Sequence, residues 1–125
     1  MNMKKWTHPE IREKFFEFFT SHDHLLIGSS SLVPVNDPTL LLINSGMAPL
    51  KPFFTGEKIP PHKRLCNIQK CVRTNDIESV GDRHHLTFFE MMGNWSIGDY
   101  FKDEAIELAW TMISEVFKFD TSRIY

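Results

Sequence analysis

The 125 residues suffice for one domain or part of one, and 42% apolar residues with 11 phenylalanines supply a real core, which excludes a disordered composition. A net charge of −2 excludes a global basic field of the kind that announces nucleic acid, leaving room only for a local cationic site. No apolar run approaches membrane-spanning length, and the polar start Met1–Lys5 is not a secretory leader, so a cytoplasmic, reduced protein with no membrane partner is expected.

In chain order, Thr7-His8-Pro9-Glu10 predicts a helix start: Thr7 can cap, Glu10 stands three residues on, and Pro9 is tolerated in the first turn. Ile11, Phe15, Phe18 and Phe19 recur at helical spacing and form one apolar stripe, with an end expected near Ser21-His22-Asp23. Leu25–Ile27 is a short strand candidate. After the turn signal Asn36-Asp37-Pro38, the continuous run Leu40–Ile43 predicts a strand buried on both faces. Asn44-Ser45-Gly46 breaks that run, and Met47–Phe54 predicts a short helical stretch with Pro49 in its first turn.

Leu65–Arg73 alternates. Leu65, Asn67, Gln69, Cys71 and Arg73 share one face, and Cys66, Ile68, Lys70 and Val72 the other, so the two thiols should point apart. The first face is polar for a strand in an apolar chain; it is either solvated or lines a site. Thr74–Arg83 is a polar loop. His84–Met92 predicts a second arm with His85, Thr87, Phe89 and Met91 on one face, followed by a turn-rich connection from Gly93 to Asp99. Asp99 can cap a last helix with Ile106, Ala109, Trp110, Ile113 and Phe117 as its buried stripe, and Arg123–Tyr125 resembles the start of another strand. Strands in a run between helices predict an α+β layer with an antiparallel sheet.

Arg73, at a strand end, can fork onto a phosphate or carboxylate through two parallel hydrogen bonds; the alternative is a surface pair with Asp76 or Glu78. Phe89 can stack on a purine, or it is one more core ring. His85 and Thr87 beside Phe89 tip that face towards a pocket. His62, Cys66, Cys71, His84 and His85 crowd one span but lack the spacing of a metal site. Neither common phosphate-binding glycine loop occurs, and no serine or cysteine stands in a nucleophile motif.

Three stretches carry a resemblance: Ser29–Met47 (SSSLVPVNDPTLLLINSGM), Cys71–Arg73 (CVR) and His85–Phe101, which contains TFFEM and GDYF. Together they resemble the amino-terminal part of the alanyl-tRNA synthetase family, from about Glu10 to Tyr125. The resemblance implies a class II aminoacyl-tRNA synthetase: a partial catalytic fold of antiparallel sheet flanked by helices, with residues 1–125 forming the first part of an adenylation domain. It implies an ATP-dependent ligase that activates alanine as alanyl-adenylate and passes it to tRNA(Ala), with Mg2+ accompanying ATP. Position by position, Arg73 would grip the α-phosphate and the alanine carboxylate. Phe89 would carry the adenine, His85 and Met91 would line the same face, and Met47 would approach from the neighbouring loop. Many members have a longer loop after the arginine, with a Gly-Lys-His-Asn-Asp run; here Thr74 leads straight to Asn75-Asp76. The chain ends before the family's third class motif and before its zinc-bearing editing domain, where zinc is expected, so a continuation past Tyr125 is expected. The alternative is a stand-alone ATP- or adenylate-binding module or split subunit of the same descent.

Overall fold

One strand separates the two halves of the molecule. In the computed structural model, which describes residues 4–125, β2 (Arg64–Val72) runs antiparallel to β3 (Phe88–Ser96) along its whole length, from Arg64 opposite Ser96 to Val72 opposite Phe88. Met1–Met3, the beginning of the polar start Met1–Lys5, lie outside the described residues. On the other edge of β2, β1 (Leu25–Leu26) joins in parallel, Leu25 opposite Leu65, so the sheet order is β1-β2-β3. The α+β class and the antiparallel hairpin are as expected; the parallel third strand makes the sheet mixed.

The helical half covers the Cys66–Ile68 face. Helix α1 (His8–Ser21) starts with a reciprocal cap: the Thr7 hydroxyl accepts from the Glu10 amide at 3.4 Å, and the Glu10 carboxylate accepts from the Thr7 amide at 2.9 Å. Its Phe15, Phe18 and Phe19 are buried and join Cys66 and Ile68 of β2 and Leu108 in one cluster. Burial there pushes the Cys66 thiol up to about 11, while Cys71, on the opposite face, is also raised by burial. The helix stops at Ser21, and Asp23 turns the chain into β1 with a left-handed φ of 60°. Arg12 and His8 of α1 both reach Glu90 of β3, at 2.8 and 2.7 Å, which ties the helix across the hairpin.

A second helix, α2 (Lys51–Phe54), follows a 3-10 turn at Ala48–Leu50, with Pro49 in that first turn. The third, α3 (Lys102–Thr111), ends in a π-helical turn at Met112–Val116. Its buried side differs from the expected stripe. Leu108 is buried and Met112 and Val116 pack on the phenylalanine cluster, whereas Ile106 and Trp110 are 65% and 51% exposed. Phe117 alone of the predicted stripe is buried. The helix carries two apolar stripes, and the position of the α1 rings selects one; periodicity in α3 alone cannot.

Three further expectations change. Leu40–Ile43 is a bent segment rather than a strand: Leu41 is exposed, and only Ile43 is buried. Ile43 spends its backbone on two loop bonds, donating to Leu32 O at 2.8 Å and accepting from Val72 N at 2.9 Å. Asp99 does not cap α3; Phe101 holds that position, because the Asp99 carboxylate is taken by Arg64 at 2.7 Å. Arg123 closes a 3-10 turn, Thr121–Arg123, instead of opening a strand.

Arg64 also meets Glu104 at 2.7 Å and lies 4.8 Å over the Tyr100 ring. The Tyr100 hydroxyl links this cluster to His24, which is buried. His24 Nδ1 donates to the carbonyls of Phe19 and His22, so Nε2 must accept, from the Tyr100 hydroxyl at 2.6 Å; that oxygen accepts in turn from Asn94 at 3.1 Å. Burial lowers the His24 pKa, and the two carbonyls only partly oppose it. The folded state thus binds fewer protons at His24 than the unfolded one. Its contribution is complete above the unfolded value and is lost as pH falls through the folded one. The expected result is that the wild-type protein loses more unfolding free energy than a His24→Gln variant as pH drops from about 7.5 to about 5. Parallel pH profiles of denaturant unfolding for the two proteins would contradict this role.

Candidate functional site

The other face of the hairpin carries the polar residues of β2. Neither solvent nor a ligand takes Asn67 and Gln69, which are 1% and 0% exposed. Gln69 clamps the Ser30 backbone, accepting from its amide at 2.8 Å and donating to its carbonyl at 3.0 Å. Ser29 Oγ accepts from the Lys70 amide at 3.1 Å. These bonds hold the 28–36 loop on the sheet, since a buried amide side chain without partners would cost about 1–3 kcal/mol.

Beyond Val72 the ladder continues for one bond, from the Arg73 amide to Thr87 O at 2.8 Å. The Arg73 side chain is half-buried. Its Nε donates to the Asn44 carbonyl at 3.0 Å, and the guanidinium lies 5.1 Å over the Phe89 ring. Among the described residues its two terminal nitrogens have no hydrogen-bond or ion-pair partner, and neither Asp76 nor Glu78 pairs with it. The side chain is therefore pinned at one nitrogen and stacked on one ring, with its forked end available to an anion.

Phe89 and Met91 share this face, opposite Cys71 and Gln69. Met91 Sδ accepts from the Gly46 amide at 3.1 Å, which joins the 44–47 loop to β3. Met47 follows Gly46 and is 42% exposed at the start of the 3-10 turn. Arg73, Phe89 and Met91 thus share one hairpin face, and Met47 lies in the loop that borders it.

His85 does not join them on the strand. The second arm begins at Phe88 rather than His84 and runs through Gly93–Ser96, the segment expected to turn. Pairing with all of β2 decides this, and Gly93 tolerates it because the Trp95 indole lies across the space a side chain would need. His85 stands in the preceding loop. Asp82 accepts from the backbone amides of His84 and His85 and from the His85 ring, which pushes its carboxyl down to about 2 and raises the His85 pKa. His85 is held by Asp82 in that loop and does not line a strand face.

Residue-by-residue reading overlooked the partners of these groups: the Asn44 carbonyl, Gly46, and the pair of Trp95 Nε1 with Asn67 Oδ1 at 3.0 Å. The Asn-Ser-Gly break before Met47 was the available signal, as a close approach of backbone to sheet calls for a small residue. A cleft of about 450 Å3 lies nearby, between the 30–37 loop and α2, lined by Ser30, Asp37, Ile43, Lys51 and Lys58 among others; Arg73 and Phe89 are not among its residues. Arg73 and Phe89 form a shelf on the sheet outside that cleft.

Residues 10–125 match a family described as tRNA synthetases class II (A). The chain is 56% identical over 124 residues to the alanine–tRNA ligase of Acetivibrio thermocellus, covering 98% of this chain and 14% of that protein. It is 60% identical over 118 residues to the alanine–tRNA ligase of Mycoplasma mobile, covering 93% and 13%. The alanine–tRNA ligase of Ureaplasma parvum serovar 3 is 57% identical over 125 residues, covering 98% and 14%. The chain therefore spans a small part of the length of the curated relatives it matches. Because the family match takes in the helical half, the hairpin and the Arg73 face together, the chain belongs to the class II (A) tRNA synthetases.

Proposed function

We propose that this chain is the amino-terminal part of the adenylation domain of an alanine–tRNA ligase, and that the Arg73–Phe89 shelf is one wall of its ATP and alanyl-adenylate site. The observation that carries the reading is the Arg73 guanidinium, pinned through Nε to the Asn44 carbonyl and stacked over Phe89 with its terminal nitrogens unpartnered among the described residues. In the reaction, an oxygen of the alanine carboxylate attacks the α-phosphorus and the bond to pyrophosphate breaks. Negative charge gathers on the phosphoryl oxygens as this happens, and a fixed fork of N–H donors stabilises that charge where it develops. Since Arg73 covers one face of Phe89, the adenine takes the other. Met91 and Met47 border the adenylate, and His85 approaches from the hairpin loop. The alanyl group then passes to the terminal adenosine of tRNA(Ala), in the cytoplasm.

Among the described residues no three His, Cys, Asp or Glu side chains stand together as a cation site. Mg2+ belongs to the proposal as the companion ion of the ATP phosphates, whose charge it neutralises when bound. The test is amino-acid-dependent ATP–pyrophosphate exchange by the full-length protein. Exchange that rises with alanine, and little with serine or glycine, is expected. Exchange driven by a different amino acid, with none for alanine, would overturn the assignment.

A further inference from the structure

Trp95 has no role in the chemistry above, yet it lies against Asn67 of β2 and against Gly46, two residues beyond the Asn44 carbonyl that holds Arg73. Its Nε1 donates to Asn67 Oδ1 at 3.0 Å, so a fully buried side chain of β2 fixes the rotation of the indole. Gly93, two residues before it on β3, leaves the strand surface bare, and the indole lies flat across that gap; any side chain there would overlap the ring. The benzo edge of the same ring also meets Gly46, where an added methyl would come within 2.9 Å of Trp95 Cζ2 and 3.4 Å of Met91 Sδ. Gly46 is held from the same side by its amide bond to Met91 Sδ. Two residues earlier in this loop, the Asn44 carbonyl is the acceptor for Arg73 Nε.

We propose that Trp95, keyed by Asn67, is a positioning residue that sets the height of the 44–47 loop above the hairpin and so aims the Arg73 fork. The proposal rests on the reading of Arg73 as the phosphate ligand. The physical ground is that the Asn44 carbonyl stands between two anchors: the Ile43 carbonyl, which accepts from the Val72 amide at 2.9 Å, and Gly46, seated against Trp95 and Met91. The first fixes one end of the loop to β2, and the rigid aromatic ring sets the height of the other. A shift of that ring moves the fork without unfolding the sheet.

The test uses the full-length protein and follows alanine-dependent ATP–pyrophosphate exchange together with the thermal unfolding midpoint. Gly46→Ala lifts the loop off Trp95 and is expected to lower kcat by about tenfold or more, with an unfolding midpoint near that of the wild type. Asn67→Leu frees the indole to rotate and is expected to lower kcat likewise. Trp95→Phe removes the ring atoms that the new methyl meets, so Gly46→Ala placed on Trp95→Phe should cost less than about threefold further. Equal costs of Gly46→Ala in both backgrounds would overturn the proposal, as would wild-type kcat in both Gly46→Ala and Asn67→Leu. Arg73→Ala, measured beside them, separates the two readings. If it loses exchange while Gly46→Ala and Asn67→Leu keep it, only the positioning role falls. If Arg73→Ala keeps exchange, the phosphate role falls and this proposal with it.

Discussion

Arg73→Ala in the full-length protein is expected to lower alanine-dependent ATP–pyrophosphate exchange by about 10²–10³-fold, because a preorganised donor pair aimed at developing charge is worth several kcal/mol in a site of this kind. The loss should fall mainly on kcat, since the charge it stabilises is greatest in the transition state. Arg73→Lys should recover little. One ammonium cannot bond the Asn44 carbonyl, stack on Phe89 and present two parallel donors to a phosphate at once. Phe89→Ala should act differently, raising the KM for ATP by about tenfold through lost stacking while also loosening Arg73. Stopped exchange in Arg73→Ala with unchanged unfolding supports the assignment; wild-type exchange in Arg73→Ala ends it.

The second large effect is on stability. Phe19 is 1% exposed, its ring 4.8 Å from Phe15, 5.1 Å from Phe18 and 5.0 Å from His24. Phe19→Ala removes the ring on which α1, β2 and the His24–Tyr100 chain all converge, and should cost about 3–5 kcal/mol. In hydrogen exchange on the full-length protein, the amides of α1 and β2 should then exchange about 10²–10⁴ times faster. Ile106→Ala is the matched control: at 65% exposure it should change stability by less than about 0.5 kcal/mol. A large cost at Ile106 and none at Phe19 would mean that the apolar stripe of α3 faces the other way.

These two residues show what local pattern conveys. The Thr7–Glu10 cap and the Phe15–Phe18–Phe19 stripe depend on spacings of three and four residues, and both stand where the spacing puts them. Strand alternation separated Cys66 from Cys71 and aligned Arg73 with the polar face, because a pleat has only two sides. In α3 the same method selects Ile106 and Trp110, since both of its stripes are apolar and only the partner helix chooses between them. His85 fails for a related reason. Its alternation with Phe89 matters only inside a strand, and the strand starts three residues later, at Phe88, with His85 claimed by Asp82.

The hairpin from Cys71 to Phe101 is where the two kinds of information meet. The sequence alone determined the helix cap, the two faces of β2, the placing of an arginine and a phenylalanine near each other, and the family likeness carried by its long motifs. The tertiary structure decided which end of the second arm is strand. It decided that Asn67 and Gln69 are buried braces and not site linings, and that Arg73 is aimed by the carbonyl of Asn44. Backbone carbonyls carry no sequence signal of their own. Where a loop carbonyl stands depends on contacts such as Gly46 against Trp95, between residues 49 positions apart in the chain. Such contacts exist only once the sheet has formed, and no periodicity within one segment encodes them.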